Sequence, residues 1–293
     1  KNSAISFMPN VFSILFCLAL VYGMLLIFPA QSAMPSIPFY QNKSFNNIAH
    51  GTGRELLPGN TLEGAINAVA VGADIIELDV HLTLDKIVVV RHDKSVDTTT
   101  NGSGLIAELT LAELQAFDVG FHESDYPDKL AVAGIRIPPL ESLFIALPDK
   151  RFLIELKPDD TETGVQLCRL VLAYGLQDQV LVGSFHSLVL QNFRQVCPQV
   201  PTSLGEEEAR LLVVLSWIGL GHLYKSPGYS VQLPFKYYGI PLVSSSLIKA
   251  VSELNVALDV WTINDPQEML RMMSLGVDGI ITDRPDILQA IDI

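Results

Sequence analysis

Carboxylates recur at alternate positions on two apolar segments of the sequence. One residue separates Glu77 from Asp79 in the first segment, and one separates Glu155 from Lys157 in the second. Side chains alternate between the faces of a strand, so each pair is predicted to point the same way. Buried carboxylates need a cation beside them, and an all-oxygen set favours a hard divalent ion, Ca²⁺ or Mg²⁺. The alternative is that Lys157 pairs with Glu155 and the other two carboxylates are solvated at a strand end.

Two histidines follow other apolar segments and could exchange protons with a substrate. His50 ends the first predicted strand, and His92 follows the third, next to Asp93. A single histidine at a strand end is usually structural, but two that converge on a carboxylate cluster could supply one general base and one general acid. Hydrolysis of a phosphodiester needs both groups. The sequence does not assign the two roles.

The elements that would position these residues alternate along the chain. Short apolar segments predicted as strands are followed by longer amphipathic segments, which is the pattern of βα units with a parallel sheet. A chain of 293 residues has room for an α/β TIM (β/α)₈ barrel of about 250 residues behind its N-terminal segment. In such a barrel the C-terminal ends of the strands share one mouth, so the carboxylates and histidines are expected to converge there.

The predicted strands number one more than a barrel needs. They are residues 48–50, 75–80, 87–91, 152–156, 180–185, 202–205, 231–233, 258–262 and 279–282. The segment 231–233 is expected to be the surplus strand, because unusually apolar and aromatic stretches surround it. The clearest helices are predicted over residues 61–71, 110–117, 164–174, 247–254 and 266–274. Asn60 and Asp265 are the expected N-caps of the first and the last of these helices.

Composition and charge exclude several classes of protein. Hydrophobic residues make up 49% of the chain, enough for a large core, so intrinsic disorder is excluded. The net charge of −13 and the lack of a Lys/Arg-rich stretch argue against a nucleic-acid partner. The three cysteines show no metal-ligand or paired spacing, so we predict no structural disulfide, although the pair Cys168 and Cys197 stays open.

The N-terminal segment has the composition of a targeting or anchoring sequence. Residues 11–28 carry no charge and are longer than a usual signal-peptide core of about 7–15 residues, close to the roughly 20 that span a bilayer. Residues 1–33 are therefore predicted to be a cleaved signal peptide or a retained membrane anchor, residues 34–46 a linker, and residues 47–293 the barrel domain. Either leader places the barrel outside the cytoplasm, as a secreted, periplasmic or membrane-anchored domain.

Ordered motifs across residues 47–291 resemble those of the glycerophosphodiester phosphodiesterase family. They are Ala49-His50, Pro58-Gly59-Asn60-Thr61, Glu77-Leu78-Asp79, Val90-Arg91-His92-Asp93, the turn 98–104, Ile154-Glu155-Leu156-Lys157, Gly183-Ser184-Phe185, Val260-Trp261-Thr262-Ile263-Asn264 and residues 276–285. The resemblance implies a TIM barrel that depends on a divalent metal and hydrolyses glycerophosphodiesters to glycerol 3-phosphate and an alcohol.

The same resemblance implies roles for individual residues. His50 and His92 would be the acid–base pair, and Glu77, Asp79 and Glu155 the metal ligands. Lys157 would contact the phosphate, and Trp261 would form a wall for the glycerol moiety. The residues predicted to contact the substrate are Lys157, Trp261, Phe185 and Arg54.

Two positions depart from the family pattern. The family usually carries Arg directly after the first histidine, where this chain has Gly51, and Glu in the following turn, where it has Gly59. An Arg after the first histidine would clamp the phosphate through two hydrogen bonds. Its absence from this chain predicts a slower or differently selective enzyme. Arg54 either reaches in from three residues further on or has only a surface role.

Three functions are compatible with these residues. The leading one is a metal-dependent phosphodiesterase acting on soluble glycerophosphodiesters. The second is a lysophospholipase D-like enzyme that hydrolyses lysophospholipids at a membrane, which residues 11–28 and the apolar segment 211–220 would favour. The third is an inactive binding barrel that lost activity with the change to Gly51. The retained Glu77, His92 and Glu155 speak against this third function.

Overall fold

The computed structural model describes residues 11–41, 45–119 and 134–291. The α-helices are α1 (Val11–Leu26), α2 (Leu62–Ala70), α3 (Leu111–Leu114), α4 (Leu140–Ala146), α5 (Glu162–Ala173), α6 (Ser187–Val196), α7 (Glu206–Trp217), α8 (Ser245–Leu254), α9 (Pro266–Leu275) and α10 (Pro285–Ala290). The strands are β1 (Asn46–Ala49), β2 (Ile75–Leu82), β3 (Val88–Val90), β4 (Arg151–Leu156), β5 (Val180–Gly183), β6 (Ser230–Pro234), β7 (Lys236–Tyr237), β8 (Ile240–Pro241), β9 (Ala257–Trp261) and β10 (Gly279–Thr282).

A curled parallel sheet forms the centre of the molecule. Its strands pair in the order β5-β4-β2-β1-β10-β9-β6, with the first and last strands of the chain as neighbours. Single parallel bridges join Val182 to Thr202 and Ser203 to Ser230, so hydrogen bonding continues between the two edge strands. The sheet thereby returns on itself, with helices between successive strands, which agrees with the α/β barrel expected from the sequence.

The prediction of the surplus strand is wrong. Residues 231–233 belong to β6, which pairs in parallel with β9. The segment 87–91 instead supplies β3, which pairs antiparallel with the end of β2. Only residues 83–87 separate β2 from β3, too few for the crossover of a dozen or more residues that a parallel pair requires. The two strands therefore form a hairpin that extends β2 beyond the barrel.

The helices α2, α5, α8 and α9 lie where hydrophobic periodicity predicts them, within about two residues at each end. Asp265 caps α9 as expected, because its side chain accepts hydrogen bonds from the backbone N–H groups of Gln267 and Glu268. The expected cap of α2 is wrong by one residue. The side chain of Thr61 accepts from the N–H of Gly64, which leaves Asn60 available for other contacts.

The chain before β1 closes the N-terminal end of the barrel. The Phe39 side chain is buried against Ile48 and Leu153, which face the barrel interior. The hydroxyl of Tyr40 donates to Asp259 Oδ2 at 2.7 Å, and Arg151 at the start of β4 donates to the Phe39 carbonyl. The N-terminal segment therefore enters the molecule at the end opposite to the C-terminal ends of the strands.

The helix α1 contacts the barrel near the C-terminal end of α7. The Tyr22 hydroxyl donates to the Ile218 carbonyl at 2.7 Å, and His222 Nε2 donates to the Leu25 carbonyl at 3.2 Å. The side chains of α1 are otherwise largely exposed. Across the described ranges of the chain, no helix combines the length and the apolar character needed to cross a membrane. The leader predicted over residues 1–33 stays a prediction, and residues 1–10 lie outside the described ranges.

A disulfide joins α5 to the end of α6, so the prediction of no structural disulfide is wrong. Cys168 and Cys197 have Cα atoms 5.8 Å apart and are bonded. Both side chains are buried between the two helices and the sheet. The two cysteines are 29 residues apart, a spacing that does not by itself indicate a disulfide. The pairing arises because α5 and α6 pack side by side outside neighbouring strands.

Replacing Cys168 and Cys197 together with alanine is expected to lower the free energy of unfolding by about 3.5 kcal/mol. The disulfide restricts the unfolded chain, and a loop of 29 residues loses entropy of that order when it is closed. Urea unfolding with and without a reducing agent measures the effect. The reduced wild type should match the double variant. Equal unfolding midpoints for oxidised and reduced wild type would contradict the prediction.

Candidate active site

The predicted carboxylates meet at the C-terminal end of the sheet. β2 and β4 are parallel neighbours, with Asp79 directly opposite Glu155. Oxygen atoms from Glu77, Asp79 and Glu155 all lie within 4.8 Å of one another. The side chains of Glu77 and Asp79 are buried, being 6% and 2% exposed. The alternation of side chains along each strand therefore produces one compact acidic cluster.

Lys157 bridges two of the three carboxylates. Its Nζ lies 3.1 Å from Asp79 Oδ1 and 3.1 Å from Glu155 Oε1. The alternative in which Glu77 and Asp79 are solvated is wrong, because both are buried. Three ionised carboxylates and one ammonium group carry two net negative charges, which a divalent cation would balance.

Burial makes the cluster costly to ionise without a cation. Desolvation, followed by repulsion from Asp79, raises the pKa of Glu77 well above its ordinary value. The same two causes raise the pKa of Glu155 to about 7, despite the opposing effect of Lys157. A cation at the cluster would remove this cost, because it stabilises the charged form of every carboxylate around it.

Backbone and side-chain groups from the loop after β1 hold the cluster in place. The N–H of Gly51 donates to Glu77 Oε2 at 2.6 Å. Asn60 donates through Nδ2 to Asp79 Oδ2 and accepts from the Asp79 N–H, both at 2.9 Å. This positioning role of Asn60 was not predicted from the sequence. Its backbone adopts a φ of 59°, which is uncommon for a residue with a side chain.

His50 is oriented by a carboxylate from the far end of the sequence. Its Nδ1 lies 2.6 Å from Asp283 Oδ1, and Asp283 also accepts from Asn264 Nδ2 at 2.8 Å. Burial raises the pKa of Asp283, but the hydrogen bonds from His50 and Asn264 outweigh it and hold the pKa below its ordinary value. An ionised Asp283 only accepts, so Nδ1 of His50 carries a proton and Nε2 is left for chemistry. Asp283 was not predicted from the sequence as a site residue, although it directly follows β10.

His92 has a similar arrangement at the rim of the site. Its Nδ1 lies 2.7 Å from Asp93 Oδ1, and Thr98 donates to the other oxygen of the same carboxylate. His81, on the same face of β2 as Asp79, donates from Nε2 to the His92 carbonyl at 3.0 Å. The His92 side chain is 54% exposed, compared with 20% for His50. The two imidazoles thus differ in their access to solvent.

Aromatic side chains form a wall beside the acidic cluster. Trp261 ends β9, and its ring packs edge-on against the ring of Phe185, with centroids 5.8 Å apart. The Lys157 ammonium lies 6.0 Å from the centroid of Phe185. The structure therefore brings the three predicted substrate contacts Lys157, Phe185 and Trp261 to one side of the site. Arg54 lies elsewhere, beside His50, with its Nε 2.8 Å from Asp283 Oδ1.

Comparisons with known proteins give concordant results. The model of the glycerophosphoryl diester phosphodiesterase family matches residues 50–287. A glycerophosphodiester phosphodiesterase from Caldanaerobacter subterraneus is 32% identical over 250 residues, covering 82% of this chain and 95% of that protein. Lysophospholipase D from Homo sapiens is 24% identical over 270 residues, covering 83% of this chain and 84% of the human protein.

A solved structure shares the fold. The phosphodiesterase from Oleispira antarctica, in complex with the product sn-glycerol 3-phosphate, superimposes with a TM-score of 0.65 at 21% identity. The match covers 83% of this chain and 94% of that structure.

Proposed function

Because the chain belongs to the glycerophosphoryl diester phosphodiesterase family, we propose that it uses a divalent cation and two histidines to hydrolyse glycerophosphodiesters to glycerol 3-phosphate and an alcohol. The observation that carries this proposal is the buried cluster of Glu77, Asp79 and Glu155. It lies at the same end of the sheet as His50 and His92, whose Nδ1 atoms are both held by carboxylates. A phosphodiesterase needs charge stabilisation and proton transfer at one place.

The three carboxylates would hold the cation. Their donors are all oxygen, which suits Ca²⁺ or Mg²⁺ rather than a softer metal. When bound, the ion polarises the phosphoryl oxygens and offsets the negative charge that grows in the transition state. Lys157, whose Nζ lies 3.1 Å from Asp79 Oδ1, would pair with a phosphoryl oxygen on that side of the cluster. Glu77 is held toward the cluster by the Gly51 N–H.

The two histidines would divide the proton transfers. We assign the base to His50, because the ionised Asp283 fixes the proton on Nδ1 and stabilises the imidazolium formed when Nε2 is protonated. Nε2 would take the proton of the nucleophile, either the glycerol 2-hydroxyl or water, as the oxygen of that nucleophile bonds to phosphorus. If the 2-hydroxyl attacks, water opens the resulting cyclic phosphate in a second step. His92 would then protonate the departing alkoxide as the phosphorus–oxygen bond breaks. Its exposure at the rim supports this role, since the alcohol has to leave toward solvent.

An assay of the full chain tests the proposed reaction. With Ca²⁺ or Mg²⁺ present, glycerophosphocholine should yield glycerol 3-phosphate and choline, and excess EDTA should stop the release until the metal is restored. Release that is insensitive to EDTA would contradict metal dependence. No release from glycerophosphocholine or lysophosphatidylcholine under any metal condition would favour the inactive binding barrel.

Lysophospholipids are the second candidate substrates, and one feature of the mouth favours them. The hairpin of β7 and β8 follows β6 directly, and Pro234 at the end of β6 pairs with Trp261. Tyr238 on this hairpin is almost fully exposed, and Ile240 is exposed as well. An acyl chain could pack against these side chains. The human relative named lysophospholipase D supports the same reading.

The position of the N-terminal helix favours soluble substrates instead. α7 begins directly after the bridges at residues 202–203, on the mouth side, so its last residue, Trp217, lies toward the other end of the barrel. α1 contacts the chain immediately beyond Trp217, at Ile218. A lipid surface that covers residues 11–28 and 211–220 would therefore lie away from the mouth. Faster turnover of glycerophosphocholine than of lysophosphatidylcholine in the assay above is the expected result.

We propose an extracytoplasmic location for the barrel, and the disulfide supports it. Disulfides persist in oxidising compartments and are rare in the cytosol. Cys168 and Cys197 are bonded, and residues 11–28 have the composition of a leader. Protein taken from its native cells under thiol-blocking conditions should contain both cysteines in unblocked, oxidised form. Complete alkylation of both thiols before reduction would contradict the proposal.

A further inference from the structure

We propose that Arg54 clamps the substrate phosphate, presenting the two terminal amino groups of its guanidinium to phosphate oxygens beside His50. The proposal rests on the phosphodiesterase function proposed above. It assigns phosphate binding to Arg54, in a chain that has Gly51 where the family usually carries a phosphate-binding Arg.

Arg54 is held by the same carboxylate oxygen that orients His50. Asp283 Oδ1 lies 2.8 Å from Arg54 Nε and 2.6 Å from His50 Nδ1. The guanidinium therefore has a defined place next to the proposed base. Asp283 also accepts hydrogen bonds from His50 and Asn264. Its negative charge is therefore balanced without the two terminal amino groups of Arg54.

Within the part of the chain that the structure describes, the two terminal amino groups of the Arg54 guanidinium have no protein partner. Among residues 11–41, 45–119 and 134–291, the contact with Asp283 is the only ion pair or hydrogen bond of the Arg54 side chain. The Arg54 side chain is 46% exposed, so a ligand can reach it from solvent. A guanidinium with its Nε held and both amino groups available matches the geometry of a phosphate, which accepts two parallel hydrogen bonds.

Two glycines make the space in which the Arg54 side chain lies. A Cβ atom on Gly59 would be 2.8 Å from Arg54 Cβ, which is too close for any real contact. A Cβ atom on Gly51 would be 3.5 Å from Arg54 Cδ. Gly51 also has a φ of 50°, a conformation that suits glycine. The aliphatic part of Arg54 thus crosses both glycines on its way to Asp283.

These contacts connect the two departures from the family pattern. The positions that differ, Gly51 and Gly59, both lie against the Arg54 side chain, and at Gly59 even a Cβ atom would collide with it. Because Gly51 also donates to Glu77, Arg54 lies on the Glu77 side of the acidic cluster, whereas Lys157 lies on the Asp79 and Glu155 side. A phosphate at the cluster would therefore contact one cationic group on each side.

Binding of sn-glycerol 3-phosphate to the full chain, measured by calorimetry with Ca²⁺ present, tests the proposal. Arg54→Gln should weaken binding about 10-fold or more, because two charge-assisted hydrogen bonds are lost. Arg54→Lys should recover only a small part of that loss, since a point charge does not reproduce the fork. The KM for glycerophosphocholine should rise in both variants. Arg271→Gln is the matched control, because Arg271 is 48% exposed and pairs with one acidic residue, Glu268. It should bind like wild type.

Gly59→Ala tests the placement of Arg54 without changing any charge. Its added methyl group has to displace the Arg54 stem, so binding of sn-glycerol 3-phosphate should weaken several-fold. Binding of Ca²⁺ alone is measured in parallel, because the same methyl group would lie 3.2 Å from the Gly51 carbonyl and Gly51 holds Glu77. Weaker binding of sn-glycerol 3-phosphate with retained Ca²⁺ binding would locate the effect at Arg54.

Wild-type affinity for sn-glycerol 3-phosphate in Arg54→Gln would overturn the proposal, and full recovery by Arg54→Lys would overturn the two-point clamp. These outcomes are separate from failure of the proposed function. If the wild-type chain binds sn-glycerol 3-phosphate through Arg54 but hydrolyses no phosphodiester, the proposed function is wrong and the clamp stands.

Discussion

Glu77→Ala and Asp79→Ala are each expected to abolish both divalent-cation binding and turnover. Each substitution removes one of the three oxygen donors that lie within 4.8 Å of one another. A hard cation left with two protein carboxylates would be under-coordinated in a buried place, and the two net negative charges that attract it would fall to one. The expected loss is therefore complete on the scale of an ordinary binding experiment.

Calorimetric titration with Ca²⁺ and with Mg²⁺ measures the binding of each variant directly. Asp259→Asn is a suitable control. Asp259 is fully buried at the opposite end of the barrel, where it accepts a hydrogen bond from Tyr40, and it is not one of the three carboxylates of the cluster. This variant should bind metal like wild type. Thermal unfolding shows whether each variant is folded. Undiminished metal binding in both Glu77→Ala and Asp79→Ala would remove these residues from the metal site.

His50→Ala and His92→Ala are each expected to lower the turnover number by roughly 10²-fold or more while leaving metal binding almost unchanged. General acid–base catalysis contributes at least about that factor. Neither ring contacts the acidic cluster through a hydrogen bond, since the Nδ1 atoms are held by Asp283 and Asp93. The loss should therefore appear in the chemical step and not in the affinity for Ca²⁺ or Mg²⁺.

Steady-state kinetics on glycerophosphocholine and a parallel metal titration separate these two effects. His222→Ala is the matched control, because His222 lies near α1 at the far end of the barrel, where its ring donates to the Leu25 carbonyl. Its turnover should stay near that of wild type. If His50→Ala or His92→Ala also turns over at nearly the wild-type rate, that histidine has only a structural role.

Local patterns in the sequence determined the carboxylate cluster and most of the secondary structure. Glu77 with Asp79, and Glu155 with Lys157, are separated by one residue, so any strand through them has to place each pair on one face. Helix periodicity and the Asp265 cap located α9 in the same way. These inferences needed only the geometry of a single strand or helix. The resemblance to a known family then connected segments that are distant along the chain.

The tertiary structure alone decided which distant groups meet. Cys168 bonded to Cys197, and Arg54 turned toward Asp283 across two glycines. His50 and Asp283 are separated by 233 residues, and no local pattern links them. They meet because the first strand of the sheet pairs with the last, which brings the ends of β1 and β10 together. Such contacts depend on how the sheet curls and closes, a property of all its strands together.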